Sequence, residues 1–311
     1  MRTTRVLTAA LALLSLRAAP ALAEADALPA PSHAVESPGE TPTVEGESAY
    51  PVRPWLLPPL EVRGTRVLRE EERIGTYGQP RWTANRRFPS TRVYVVPKGK
   101  VTVEYWNRWN APLDNLLDAR RIQDFYEIEM GLGYRLQLDL YLVTQQEGWK
   151  GAIETKKQKI ELRYALADWG KLWGNPTLYL EWSREGGDPD YLEGKVLLGG
   201  ELAPRWHAGA NLVLERKLGD NQSNEYALTT GLSYTVADEL FSVGLEAKAS
   251  LFDRKNDRFS FDEQEYLAGP SISFFPIAPM HVLVTAMAGA GKAGDQTDGI
   301  WESWVIGGWT F

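Results

Sequence analysis

Carboxylates recur at alternate positions along most of the chain. Glu104, Glu127, Glu129, Asp139, Glu161, Glu181, Glu193, Glu201, Glu215, Glu225, Glu246 and Glu302 each fall in the polar phase of an apolar/polar alternation. The cations in the same phase are Arg108, Lys159, Arg163, Lys195, Lys217 and Lys248, so acids outnumber bases about two to one. Acidic rings of this kind raise the local concentration of cations in a pore. A plainer reading is a cross-paired, solvated interior that keeps a small barrel from collapsing. Hydrolytic chemistry has little to build on. His207 and His281 are the only histidines in this part of the chain and there is no cysteine. No catalytic residue is assigned, and a metal would have to lean on carboxylates whose spacing does not indicate a site. Gly289-Ala290-Gly291-Lys292-Ala293 lacks the first glycine and the Ser/Thr of a phosphate loop and precedes no helix. No cofactor is expected.

The elements that must carry these residues are strands. From residue 93 onward the period is two. Tyr126, Ile128, Met130 and Leu132 alternate with Glu127, Glu129 and Gly131, and Leu136, Leu138, Leu140 and Leu142 alternate with Gln137, Asp139 and Tyr141. Twelve such segments can be drawn, the first over 101–110 and the last ending at Phe311. The eleventh, about 279–291, is apolar on both faces and its register is open. Connections alternate between short turns such as Gly133-Tyr134-Arg135 and charged loops such as 110–121 or 253–263. Short turns at one rim and longer loops at the other are the habit of a transmembrane barrel. An even strand count brings both ends of the barrel to one rim, the periplasmic one.

Alternation alone does not say which face is inside. The tryptophans bear on that. Trp169, Trp173, Trp206 and Trp309 fall near one set of strand ends and Trp106, Trp109, Trp149 and Trp182 near the other, as interfacial girdles do. With acids on the polar face, this predicts an all-β, antiparallel, up-and-down transmembrane β-barrel of about twelve strands, greasy outside and charged within.

Four segments follow. Residues 1–23 read as a signal peptide: Arg2 and Arg5, an apolar run from Val6 to Leu16, and Ala21-Leu22-Ala23 as cleavage site. Residues 24–58 are a Pro/Glu/Ser-rich disordered linker. Residues 59–92 are arginine-rich, and 93–311 form the barrel. The formal charge of -7 becomes -10 once Arg2, Arg5 and Arg17 are removed (-7 - 3), which argues against nucleic acid as a partner. Absence of cysteine suits a chain that crosses an oxidising compartment. The basic segment precedes an acidic interior, its electrostatic complement. It is expected to act as a plug at the periplasmic mouth, with Arg81, Arg86 and Arg87 meeting lumen carboxylates; the alternative is a tether facing water, with a periplasmic partner for residues 24–92.

The last strand resembles the one by which Gram-negative outer-membrane barrels are recognised and inserted. Reading back by twos gives Phe311, Trp309, Gly307, Val305, Ser303 and Trp301; Gly307 and Ser303 stand where that family carries apolar residues. The resemblance implies that Trp309 and Phe311 serve as a membrane-assembly signal, with the barrel-assembly machinery and outer-membrane lipid as partners. Glu127-Ile128-Glu129-Met130-Gly131-Leu132-Gly133-Tyr134 and Arg163-Tyr164-Ala165-Leu166-Ala167-Asp168-Trp169-Gly170 resemble the porin-like transporters annotated for a meta-pathway of phenol degradation. That resemblance implies an outer-membrane channel for small solutes and carries over no binding residues. The expected function is passage of small solutes, cation-preferring on Glu104, Glu127, Glu129, Asp139, Glu161, Arg163, Glu181, Glu201, Glu215, Glu246 and Lys248. Its rivals are a structural or partner-binding barrel and an outer-membrane hydrolase.

Overall fold

In the computed structural model the described residues are 68–117, 120–219 and 222–311. The expected signal peptide, the linker and residues 59–67 of the basic segment lie outside them. Twelve antiparallel strands close into one barrel. They are β1 (Val101–Pro112), β2 (Arg121–Gly133), β3 (Leu136–Gln146), β4 (Glu154–Ala165), β5 (Thr177–Glu185), β6 (Tyr191–Ala203), β7 (Trp206–Lys217), β8 (Ser223–Ala237), β9 (Phe241–Arg254), β10 (Glu263–Ile277), β11 (Met280–Ala293) and β12 (Gln296–Thr310). Each strand pairs with its sequence neighbours, and β12 closes on β1 through Trp304↔Arg108 and Gly308↔Glu104. No helix among the described residues is long and apolar enough to cross a membrane, which says nothing of strands.

The alternation expected from the sequence sets the radial direction. Val103, Tyr105, Tyr126, Ile128, Leu180 and Leu214 are exposed on the outer surface, whereas Glu104, Glu127, Glu129, Asp139 and Glu181 are buried within. A soluble barrel would do the reverse, because exposed apolar area is costly in water, at about 25 cal/mol per Å². Closure leaves no unpaired edge, the condition for a sheet to cross lipid.

At the rim that holds both barrel ends four of the five connections are tight turns, and the fifth, residues 166–176 between β4 and β5, is long. Tyr134 and Arg135 form a two-residue turn with φ of 51° and 64°, a left-handed pair that L side chains seldom adopt. The Arg135 amide donates to the Tyr77 hydroxyl, which ties this turn to the segment before the barrel. At the other rim the β11–β12 connection is a tight turn as well. The strands run on to Ala293↔Gln296, and Gly294, at φ 60°, makes the turn.

The barrel starts later than residue 93. Val93, Tyr94, Val95 and Val96 are buried, yet they belong to no strand. A β-branched apolar run reads like a strand, but here it is packed inside the barrel and turns into β1 only at Val101. Residues 68–100 therefore form one inner segment. It holds two short 3₁₀ turns, Arg69–Glu71 and Arg81–Thr83, and a two-residue ladder of Arg73–Ile74 with Gln79–Pro80.

Candidate functional site

The inner segment enters the barrel from the rim that holds the termini. Its entry is fixed at the edge. Asp238, in the β8–β9 turn, accepts from the Arg69 and Glu70 amides at 2.8 and 3.1 Å. Arg81 stays at this rim, half exposed, and pairs with Glu72 at 2.8 Å and Glu239 at 3.0 Å. Deeper in, the segment holds itself together: Gln79 Nε2 donates to the Val95 carbonyl at 2.8 Å. Only a void of about 10 Å³ is left among Trp82, Arg86, Arg92 and Tyr94. A crevice of about 700 Å³ remains at the rim beside it, between Asn85, Lys100 and the Pro276–Pro279 turn.

Three glycines on the wall receive this segment. Gly199 on β6 is paired with Gly209 on β7, and Gly209 with Gly231 on β8. A Cβ at Gly231 would lie 2.5 Å from the Phe88 ring, and one at Gly199 or Gly209 would meet Val93 at 2.0 or 2.8 Å. The missing side chains are thus the space that Phe88 and Val93 occupy, and Phe88 is fully buried.

The opposite wall is ionic. Arg86 Nε lies 3.1 Å from Glu104 Oε2, and its Nη2 lies 3.4 Å from Glu127 and 3.6 Å from Glu129. Arg92 pairs with Glu129 at 3.1 Å. Arg163, on β4, contacts Glu161, Asp139 at 3.0 Å and Glu129 at 3.6 Å. Burial alone would lower the Arg86 guanidinium, but the three glutamates hold it above its ordinary range. Buried ion pairs gain little over apolar packing, yet removing one partner costs about 3–5 kcal/mol because the other charge is stranded.

Arg86 is the one of the three candidate plug arginines that meets lumen carboxylates. Arg87 instead pairs with Glu70 of its own segment at 2.7 Å. It also donates to the wall hydroxyls of Thr235 and Ser242 at 2.9 and 3.0 Å. Burial draws Arg87 below its ordinary range, and Glu70 opposes that shift. Arg81 never enters the interior. Arg92, which the sequence reading passed over, does the work expected of them. It follows Arg86 by six residues in the same basic run, so only its place at the segment's edge hid it.

All eleven lumen candidates face inward, at different levels. Glu104, Glu127, Glu129, Asp139, Glu161, Arg163 and Glu181 are buried on β1–β5, and Glu246 on β9 accepts from the Ser90 amide at 2.8 Å. Glu201 sits near the entry rim, with the Trp169 indole at 3.2 Å and Arg73 at 3.7 Å. Glu215 and Lys248 lie half-buried in the outer half, a mixed-charge vestibule. There Lys159 pairs with Glu181 at 2.8 Å, Lys195 with Glu193 at 2.7 Å and Lys248 with Glu265 at 3.4 Å.

Two tryptophans are not in a girdle. Trp106 points inward and is buried against Phe125, Tyr141 and Trp304, with centroids 5.3, 5.8 and 5.9 Å away. Val143, Leu283 and Ile306 complete this cluster, so one side of the interior is apolar. The phase was visible: Trp106 shares parity with Glu104 and Arg108. Trp169 packs edge-on against Tyr94 and Trp82, at 5.0 and 5.8 Å. Its place in a long turn hid this contact. Trp149, Trp173, Trp182, Trp206 and Trp309 are exposed as expected.

Both barrel histidines are buried. His281 Nε2 lies 2.9 Å from Glu104, and His207 Nδ1 lies 3.2 Å from Arg87. Neither is near the outer rim, where an outer-leaflet hydrolase would need its base. Two carboxylate triads could in principle hold a cation: Glu104, Glu127 and Glu129, and Glu127, Asp139 and Glu161, each with oxygens within 4.8 Å of one another. Guanidinium groups already stand in both.

No protein-family model matches the chain. No curated protein matches it either. The short likeness to the phenol meta-pathway family therefore has no family match behind it. Solved structures similar to the chain include the NanC porin, with 9% identity over 65% of this chain and 98% of that one, TM-score 0.46. An outer-membrane channel from Pseudomonas putida F1 is similar at 10% identity over 70% and 98%, TM-score 0.47. The outer-membrane channel DcaP of Acinetobacter baumannii is similar at 11% identity over 68% and 96%, TM-score 0.31. Closure, the apolar exterior and the charged interior make the chain a transmembrane β-barrel.

Proposed function

We propose that the protein is an outer-membrane channel for small solutes, closed at its periplasmic half by residues 68–100 and preferring cations when open. The observation that carries this reading is Arg86, a cation of the inner segment set among three glutamates of the wall. Glu104, Glu127, Glu129, Asp139 and Glu161 face the lumen on four adjacent strands. Arg86 and Arg92 of the inner segment, with Arg163 of the wall, are the cations paired to them. Withdrawing the segment would leave five acids against one arginine, and such a surface concentrates cations. Twelve strands give a lumen between the side-chain-filled eight-stranded barrels and the wide sixteen-stranded ones, suited to small solutes.

Deleting residues 59–92 tests this in a planar bilayer. Single-channel conductance should rise several-fold over the full chain. Unchanged conductance would end the plug reading. One observation favours a second function, a structural or partner-binding barrel. The cluster of Trp106, Phe125, Tyr141, Val143, Leu283 and Ile306, all on wall strands, fills part of the interior. That reading expects no current from either form, and capture of a periplasmic protein through residues 24–92.

A further inference from the structure

The surroundings of Arg86 are built like a ligand site whose ligand happens to be part of the chain. Its guanidinium carbon lies 4.3 Å from the centroid of the Trp106 ring. Carboxylates of Glu104, Glu127 and Glu129 meet its nitrogens. A planar cation between an aromatic face and carboxylates is the arrangement by which guanidinium and ammonium groups are recognised.

The receiving groups come from the wall alone. Glu104 and Trp106 are on β1, Glu127 and Glu129 on β2. They are also fixed without Arg86. The Trp106 indole donates to Glu104 Oε2 at 2.7 Å, which sets the ring face, and His281 Nε2 lies 2.9 Å from Glu104 Oε1. Phe125, Tyr141 and Trp304 hold the ring from behind. One oxygen of the buried Glu127, Oε1, has no hydrogen-bond partner. A buried acceptor left open this way is a cost that a ligand with more N–H donors would remove.

We propose that Glu104, Glu127, Glu129 and Trp106 form a binding site for small guanidinium and alkylammonium compounds, which Arg86 occupies as an internal competitor. The site deepens the channel reading and rests on it for its use: a cationic solute that takes the place of Arg86 would both bind and loosen the inner segment. Arginine is suited to that part, since its planar fork matches carboxylate pairs that a lysine would meet as a point charge.

The test separates the site from the channel. The Arg86→Ala full-length protein is purified in detergent and melted with millimolar ethylguanidinium chloride, with sodium chloride and urea at equal concentration as controls. Ethylguanidinium should restore more than half of the melting temperature lost, and the controls should not. Adding Glu127→Gln and Trp106→Leu to Arg86→Ala should remove that rescue. If Arg86→Ala fails to fold, refolding yield of Arg86→Gln with and without ethylguanidinium gives the same readout. In bilayers, ethylguanidinium should block Arg86→Ala currents at concentrations where sodium does not. Rescue with no current from the protein lacking residues 59–92 would keep the site and overturn the channel. Current with rescue no greater than the controls give would overturn the site. Neither rescue nor current would overturn both.

Discussion

Gly231 and Phe88 show at the scale of single residues how the inner segment is held. The segment is seated where the wall lacks side chains, so adding them should unseat it. Gly231→Val puts branched carbon into the space of the Phe88 ring. Overpacking of this kind costs about 1–3 kcal/mol, and its effect should fall on the inner segment rather than on the strands. Limited trypsin digestion in detergent should then cut at Arg86 or Arg87 at least several-fold faster than in the unchanged protein, with the barrel band intact. Tyr94 offers a second handle. Its hydroxyl donates to the Ala167 carbonyl at 2.9 Å. Burial, then the nearby Asp168 carboxylate, push the phenol up to about 12. The neutral form is the one the fold favours, so its contribution is full below the ordinary tyrosine value near 10 and falls as pH rises through about 12. Trypsin-independent release of the segment, read by tryptophan fluorescence, should set in over that interval and should vanish in Tyr94→Phe. At this scale the sequence was partly legible. Parity placed the carboxylates, and it would have placed Trp106 had ring type not been weighed above phase. Gly199, Gly209 and Gly231 could not be read as a seat, because their adjacency exists only in the register of β6–β8.

Among the elements, strands and inner segment obey different rules. The twelve strands were readable because a period of two in a closed sheet forces alternate side chains to opposite media. The inner segment has no period. Its order comes from tertiary contacts: wall glycines, the Glu246 carboxylate under Ser90, and Gln137 Oε1 accepting from the Val96 amide at 2.6 Å. Its limits could not be read for that reason, and the barrel boundary drawn at residue 93 takes in Val93–Val96, which belong to the inner segment. Phe88→Ala should cost about 3–5 kcal/mol of local stability, since the side chain is wholly buried. Faster amide exchange confined to residues 79–96 would bear that out; exchange spreading into β8 would contradict it. The seam between β12 and β1 makes a separate demand. Phe311 donates its amide to the Val101 carbonyl at 2.7 Å while its ring is exposed, and Trp309 faces outward. If these rings are an assembly signal, Phe311→Gly should lower the heat-modifiable, membrane-inserted fraction several-fold in cells. Refolding of the purified chain in detergent should be nearly unchanged.

At the largest scale, the described barrel is an oily wall around a charged filling. The acids of the inner half are met by Arg86 and Arg92 of the inner segment, and acids of the vestibule by lysines of the wall. Selectivity should therefore depend on whether the segment is present. In a potassium chloride gradient the protein lacking residues 59–92 should show a reversal potential shifted toward the cation limit. High salt should shrink that preference, since screening over a Debye length of about 10 Å at 0.1 M weakens exposed charges most. Were the filling to leave as proposed, the aromatic cluster on β1–β3, β11 and β12 would stay. The bore that remains is then eccentric, a crescent hugging the far staves of the cask. Slender or flat molecules would slip along it where a compact sphere of equal bulk would jam.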